Sequence, residues 1–232
     1  MQAIVRKTLA FHHFLAANLF YPLALASALS VGFLVARIWW SGSYLFTFLA
    51  WNLFLAWLPY LFGLGASALF HRDRRNWLLI LLFSGLWLLF LPNAPYLLTD
   101  LLHLQKHPRV PLWYDVGMLS SAAITGVFLG FASLRAMQEV IAKIAGHIAG
   151  WLFACGVIAL SSFGVYVGRE LRWNSWDVFT DPLRLLRDVL TPIRHPIQNR
   201  EAVGFWLMFA AILFVFYLTF NTLHLGRRDV SR

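Results

Sequence analysis

The chain alternates long apolar blocks with short polar ones. Six stretches contain no Asp, Glu, Lys or Arg: residues 8–36, 38–71, 76–99, 116–134, 144–168 and 202–226. A helix needs about 20 mainly apolar residues to cross the hydrocarbon core of a bilayer, and each block supplies that length. The pattern predicts an all-α, polytopic transmembrane helical bundle of about six spans, at 13–36, 44–66, 77–97, 113–134, 147–168 and 204–224. A single integral-membrane domain over residues 1–232 is expected, with 169–203 as its extramembrane loop. The third span should be broken at Leu91-Pro-Asn-Ala-Pro-Tyr96, because its two prolines remove backbone donors and restrict the residues before them. A short helix is expected to resume after the break, from Tyr96 to about Lys106.

Two elements need separate treatment. Arg6 and Lys7 precede an apolar run, and Ala24-Leu-Ala26 or Ala26-Ser-Ala28 offers small-residue cleavage patterns, as in a signal peptide. The run continues to Ala36, beyond a usual signal core, so an uncleaved first span is the favoured expectation. In the long loop, Thr180-Asp-Pro182 reads as a helix start, with Asp181 as cap and Pro182 at the first helical position. Leu183, Leu186 and Leu190 then share a face, and Pro192 should end the segment. An interfacial amphipathic helix before the last span fits this pattern, with a loop helix packed on the other spans as the alternative.

Composition agrees with a membrane protein. Hydrophobic residues make up 60% of the chain and charged residues 12%, against about 25% charged in a soluble domain. Trp39, Trp40, Tyr44, Trp77, Trp113, Trp151 and Trp206 gather near span ends as an aromatic belt. The net charge of +9 comes from basic residues at span ends and in the long loop. That placement suits membrane lipid as a partner, and no basic face stands apart for nucleic acid. The one cysteine, Cys155, lies within the fifth span and reads as a packing residue.

Span parity brings three polar strings to one end of the bundle. They are Asn93, Tyr96, Thr99, Asp100 and His103; then Trp113, Tyr114 and Asp115; then Arg169, Glu170, Arg172, Trp173, Asn174, Ser175, Trp176 and Asp177. Ionisable groups near membrane depth are costly and tend to be paired or functional. Trp51-Asn-Leu-Phe-Leu-Ala-Trp-Leu-Pro-Tyr60, Leu91-Pro-Asn-Ala-Pro-Tyr-Leu-Leu-Thr-Asp-Leu-Leu-His103, Trp113-Tyr-Asp115 and Gly168-Arg-Glu-Leu-Arg-Trp-Asn-Ser-Trp-Asp177 resemble a bacterial family of multi-span membrane proteins classed as a domain of unknown function. The resemblance implies a bacterial cytoplasmic (inner) membrane location. It carries over no activity, cofactor or site residue. The Lys and Arg of the short loops favour cytoplasmic N- and C-termini, although six arginines between residues 169 and 200 offset most of that bias.

The chemistry therefore rests on the residues. On a regular helix after Pro95, Tyr96, Asp100, His103 and His107 share one face, and Asp100, His103 and His107 become weak metal-ligand candidates. Pro108 argues against helical geometry at His107, so no metal or other cofactor is assigned. On a helical continuation of span five, Arg169, Arg172, Trp173 and Trp176 share a face, with Glu170, Asn174 and Asp177 on another. Arginine suits bidentate recognition of carboxylate or phosphate. Two readings follow: salt bridges from Asp100 or Asp115 to Arg169 or Arg172 that lock the loop, or a pocket for an anionic headgroup or small ligand. The candidate ligand-binding set is Asn93, Tyr96, Asp100, His103, Asp115, Arg169, Arg172, Trp173, Asn174, Trp176 and Asp177. The leading expectation is a non-enzymatic binding, transport-related or assembly component. The alternative is an intramembrane hydrolase or transferase acting on a lipid or lipid-linked anion, with Asp100, His103 and Asp115 as catalytic candidates.

Overall fold

Inside a bilayer every backbone polar group must be satisfied within the protein, and apolar runs of this length meet that demand as helices. The structure, a computed structural model, describes residues 2–173, 175 and 177–229. Among these the helices are α1 (Gln2–Ala17), α2 (Phe20–Ser41), α3 (Phe48–Arg72), α4 (Trp77–Phe90), α5 (Asn93–Tyr96), α6 (Leu112–Ala145), α7 (His147–Arg169), α8 (Asp177–Thr180), α9 (Pro182–Arg194) and α10 (Arg200–Asp229). A 3₁₀ segment, Leu97–His103, follows α5. Six of these units are long and apolar enough to cross a membrane, with α4, α5 and the 3₁₀ segment counting as one. The protein is an all-α polytopic bundle.

α3 and α6 form its centre. Over their most apolar windows 56% and 67% of residues are buried, against 17% for both the third span and the last. Tyr60, Ala56 and Leu49 of α3 pack with Leu119, Ala122 and Leu129 of α6. On the other side of α6, Phe131 and Met137 meet Trp87, Val165 and Tyr217.

The first span differs from the expectation. The run that reads as one helix from residue 13 is two, with the break at Asn18 and Leu19 and the span starting at Phe20. Leu19 adopts φ 64°, a left-handed conformation that costs a non-glycine residue about 1–2 kcal/mol. The break is pinned from outside: the Tyr60 hydroxyl donates to Asn18 O at 2.9 Å, and Asn18 Nδ2 donates to Phe14 O at 2.8 Å. At its other end α2 runs through Arg37, which is buried rather than at a boundary.

The third span breaks where the prolines are. α4 ends at Phe90, and a turn leads into α5 and the 3₁₀ segment. Two carbonyls at the break accept from side chains, one local and one from the loop after α7. Asn93 Nδ2 donates to Phe90 O at 2.9 Å, and Ser175 Oγ donates to Leu89 O at 3.3 Å. The broken segment wedges into its neighbours through glycines. A Cβ on Gly126 of α6 would lie 2.5 Å from Ala94 O, and one on Gly164 of α7 would lie 2.5 Å from Pro92 Cγ. Small residues at helix contacts allow this approach in membranes.

α9 begins as expected: Asp181 Oδ1 accepts from Arg184 N at 3.3 Å, and Pro182 is its first residue. It does not end at Pro192, which lies inside the helix, one half-turn before Arg194. α6 extends to Ala145, and within it Arg135 Nη2 lies 3.2 Å from Glu139 Oε1, one turn on.

Candidate ligand-binding site

Four contacts tie one end of the bundle together: Arg37 to Asp115, Arg109 to Ser41 O, the Phe48 ring to His103, and Arg169 to His103. They join the C-terminal ends of α2, the 3₁₀ segment and α7 to the N-terminal ends of α3 and α6. The site is built on this end.

Asp100 is buried within it, at 1% exposure. The 3₁₀ segment turns it towards α3, where Asn52 Nδ2 donates to its Oδ2 at 2.9 Å. Asp100 Oδ1 has no hydrogen-bond partner among the described residues, and His103 Nδ1 stands 4.0 Å from it. Arg169 Nη1 lies 3.2 Å from His103 Nε2 and 3.5 Å from Nδ1, within reach of both ring nitrogens. A polar chain thus runs Asn52, Asp100, His103, Arg169, from the middle of the bundle to its edge. It takes one residue each from α3 and α7 and two from the 3₁₀ segment.

Beside this chain lies a cavity of about 300 Å³ between α3, the proline break, α7 and the α8–α9 loop. Its polar lining is Asn52, Asn93, Tyr96, Trp173 and Ser175, and its apolar lining includes Leu55, Leu160 and Phe163. Asn93 Nδ2 donates to Ser175 Oγ at 3.1 Å, stitching the loop to the break. The loop forms the roof. Trp173 Nε1 donates to Asp188 Oδ2 at 3.1 Å, and the Arg184 guanidinium lies 5.7 Å over the Trp173 ring. Leu185 and Val189 of α9 face the cavity, whereas Leu183 and Leu186 are exposed.

Several expectations need correction. Asp115 does not reach Arg169 or Arg172; it is fully buried against Arg37, with Arg37 Nε 2.8 Å from Oδ1. Arg169 meets His103, not an aspartate. α7 stops at Arg169, and Arg172 is exposed with φ 58°, so Arg169, Arg172 and Trp173 share no helical face. Asn174 and Trp176 lie outside the described residues. Asp177 starts α8, where its Oδ1 accepts from Thr180 Oγ1 at 3.3 Å. His107 does not join Asp100 and His103, because the 3₁₀ segment ends at His103 and His107 sits in an isolated bridge to Val110. Among the described residues no three His, Cys, Asp or Glu side chains converge in a way that would hold a metal ion.

Two participants were absent from the candidate ligand-binding set, Asn52 and Ser175, although Ser175 stands in the third polar string. Asn52 carried a usable signal, a lone amide within a charge-free span. Ser175 carried none beyond its place in a polar loop.

Fold and site together define a multi-pass helical membrane protein with a polar site at one end of its bundle. The chain belongs to the family described as protein of unknown function (DUF1361), which residues 51–216 match. The matched region holds every residue of the site and omits α1 and α2. No curated protein and no solved structure matches the chain.

Proposed function

We propose that this protein is a binding component of a bacterial inner membrane, with both termini cytoplasmic and the Asp100 site on the extracytoplasmic face. Its ligand is an amphiphile with an anionic headgroup, a membrane lipid or lipid-linked molecule. The observation that carries the reading is the cavity of about 300 Å³, apolar on its inner walls, amide-lined at Asn52 and Asn93, and bounded by Gly168, the residue before Arg169. Pockets of this kind bury an apolar ligand and fix it with a few placed polar groups. Arg169 supplies the charge complement for phosphate or carboxylate. The apolar arc of α9, with Leu183 and Leu186 outward and Leu185 and Val189 inward, supports a roof that lies at the membrane surface.

Binding is favoured over catalysis because the ring nitrogens of His103 face Arg169, so a substrate would have to displace a cation to use them. A second reading, an intramembrane hydrolase or transferase, draws on one observation: the buried Asp100 Oδ1 has His103 at 4.0 Å.

The test is photocapture in native membranes. Benzophenone-alanine at Val178, on the cavity wall, should capture a lipid-linked or lipid species identifiable by mass. Arg169→Ala should lose the adduct, while the probe at the outward Leu183 should capture bulk lipid in both backgrounds. Identical adducts from the two positions would sink the reading. Accumulation of a heavier, unprocessed adduct in Asp100→Asn would favour the enzyme.

A further inference from the structure

A second, larger cavity lies at the opposite end of the bundle, outside the site described above. Its volume is about 500 Å³, and it opens between α1, α3, α6 and α10. It exists because the facing positions on α3 and α6 are small, Ala68 against Ala132 and Ala136. α1 turns over it as a side wall through Phe14. That turn is where Leu19 takes its left-handed conformation and Tyr60 grips Asn18 O. Strain of this kind persists only where surrounding structure enforces it, and it concentrates at ligand sites.

The charge of this cavity is specific. Arg72 and Arg135 line it with Glu139, and Arg135 Nη2 lies 3.2 Å from Glu139 Oε1. His71 also lines it and positions a further cation. Lys143 Nζ donates to His71 Nε2, so His71 Nδ1 carries the proton that bonds Ser67 O at 2.7 Å. Among the described residues, Arg72, Arg135 and, through His71, Lys143 bring three cations to the side of the cavity that holds Glu139. Their depth is set by α6. Asp115 marks one end of that helix and Arg135 stands 20 residues on, about 30 Å at 1.5 Å per residue and about the thickness of a hydrocarbon core. The cationic rim is thus at headgroup level while the alanine and phenylalanine walls reach into the acyl region.

We propose that this cavity binds the phosphate headgroup of an anionic phospholipid from the leaflet on the side of the chain termini. Arg72 and Arg135 take the phosphate, and the wall between Phe14 and Phe220 takes the upper acyl chain. Phosphate is the shared chemistry of a lipid headgroup and a free anion; the apolar wall selects the lipid.

The experiment is native mass spectrometry of the full chain released from micelles of equal dioleoylphosphatidylglycerol and dioleoylphosphatidylcholine. The wild type should retain phosphatidylglycerol preferentially. Arg72→Gln should cut that preference roughly tenfold, the weight of one charge-assisted hydrogen bond. Ala68→Leu should cut it similarly by filling the cavity with every charge intact. Arg74→Gln, an exposed arginine stacked on Phe70 rather than lining the cavity, should leave it unchanged. An unaltered preference in both Arg72→Gln and Ala68→Leu would overturn the proposal, as would an equal loss in Arg74→Gln. Thermal stabilisation by inorganic phosphate alone equal to that by phosphatidylglycerol would make the occupant a soluble anion and overturn it too.

Discussion

Arg37 and Asp115 form an ion pair with both side chains fully buried, Nε to Oδ1 at 2.8 Å and Nη2 to Oδ2 at 3.3 Å. The pair joins α2 to α6, and the Phe46 ring lies 4.4 Å from the guanidinium carbon. Two charges withdrawn from water gain little net stability from each other, but losing one strands its partner. This pairing takes Asp115 out of the ligand site and makes it the clamp that holds the first span to the centre of the bundle.

Breaking the clamp should therefore be worse than deleting it. Asp115→Ala or Arg37→Ala should each cost about 3–5 kcal/mol, and Arg37→Met with Asp115→Leu should recover much of that. Thermal unfolding of the three variants in one detergent decides the matter. A double variant no more stable than the singles would mean that the pair does more than neutralise itself.

Asn52 and Asp100 make a different kind of pair, because one hydrogen bond there meets a carboxylate that is otherwise without a partner on Oδ1 among the described residues. Asn52→Leu should destabilise by about 1–3 kcal/mol, the usual cost of leaving a buried polar group unmet. Asp100→Asn should fold, since it keeps the shape and removes the buried charge, yet it should change photocapture at Val178. Melting and capture measured on the same preparations separate the two effects. If Asp100→Asn and wild type behave alike in both, Asp100 serves neither the fold nor the ligand.

What was legible in the chain follows physical range. Six spans, the break at Pro92 and Pro95, and the Asp181 cap of α9 arise from local rules about length, donors and caps. The partner of Asp115 is not local: Arg37 lies 78 positions away, and a basic residue at the edge of an apolar run reads as a boundary. The split between α1 and α2 was hidden for the same reason, since its cause, Tyr60, lies 42 positions from Asn18 in an otherwise uniform apolar run. In the site, the strings containing Asn93, Tyr96, Asp100, His103, Arg169 and Trp173 were visible as polar groups at one end. Their connections were not, because periodicity carried past Gly168 assumes a helix that stops at Arg169.

The fit of the broken span also has a consequence. Pro92 Cγ occupies the space that a Cβ on Gly164 would need, at 2.5 Å. Gly164→Ala should push the proline turn away from α7 and, with it, Asn93 from Ser175. Gly156→Ala, whose added Cβ meets no atom within 4 Å, is the matched control. Gly164→Ala should lower the melting temperature by several degrees, as about 1–3 kcal/mol of overpacking does, and Gly156→Ala should not. Equal melting of the two would show that the turn yields freely.

The arrangement of the site across the membrane depends on which ends of the helices lie together, and labelling tests that directly. Cys155 is the only cysteine and is exposed on α7, so Cys155→Ala provides a blank background. Gln105, Glu170 and Arg74 are exposed in the loops after the 3₁₀ segment, after α7 and after α3. With cysteine at each in turn, a charged, membrane-impermeant maleimide on intact spheroplasts should label 105 and 170 and should reach 74 only after permeabilisation. Labelling at 74 alone would keep the helix order and invert the protein in the membrane, moving the Asp100 site to the cytoplasmic side. Opposite labelling of 105 and 170 would put His103 and Arg169 on different surfaces. The contact between them, and the site built on it, would then be wrong.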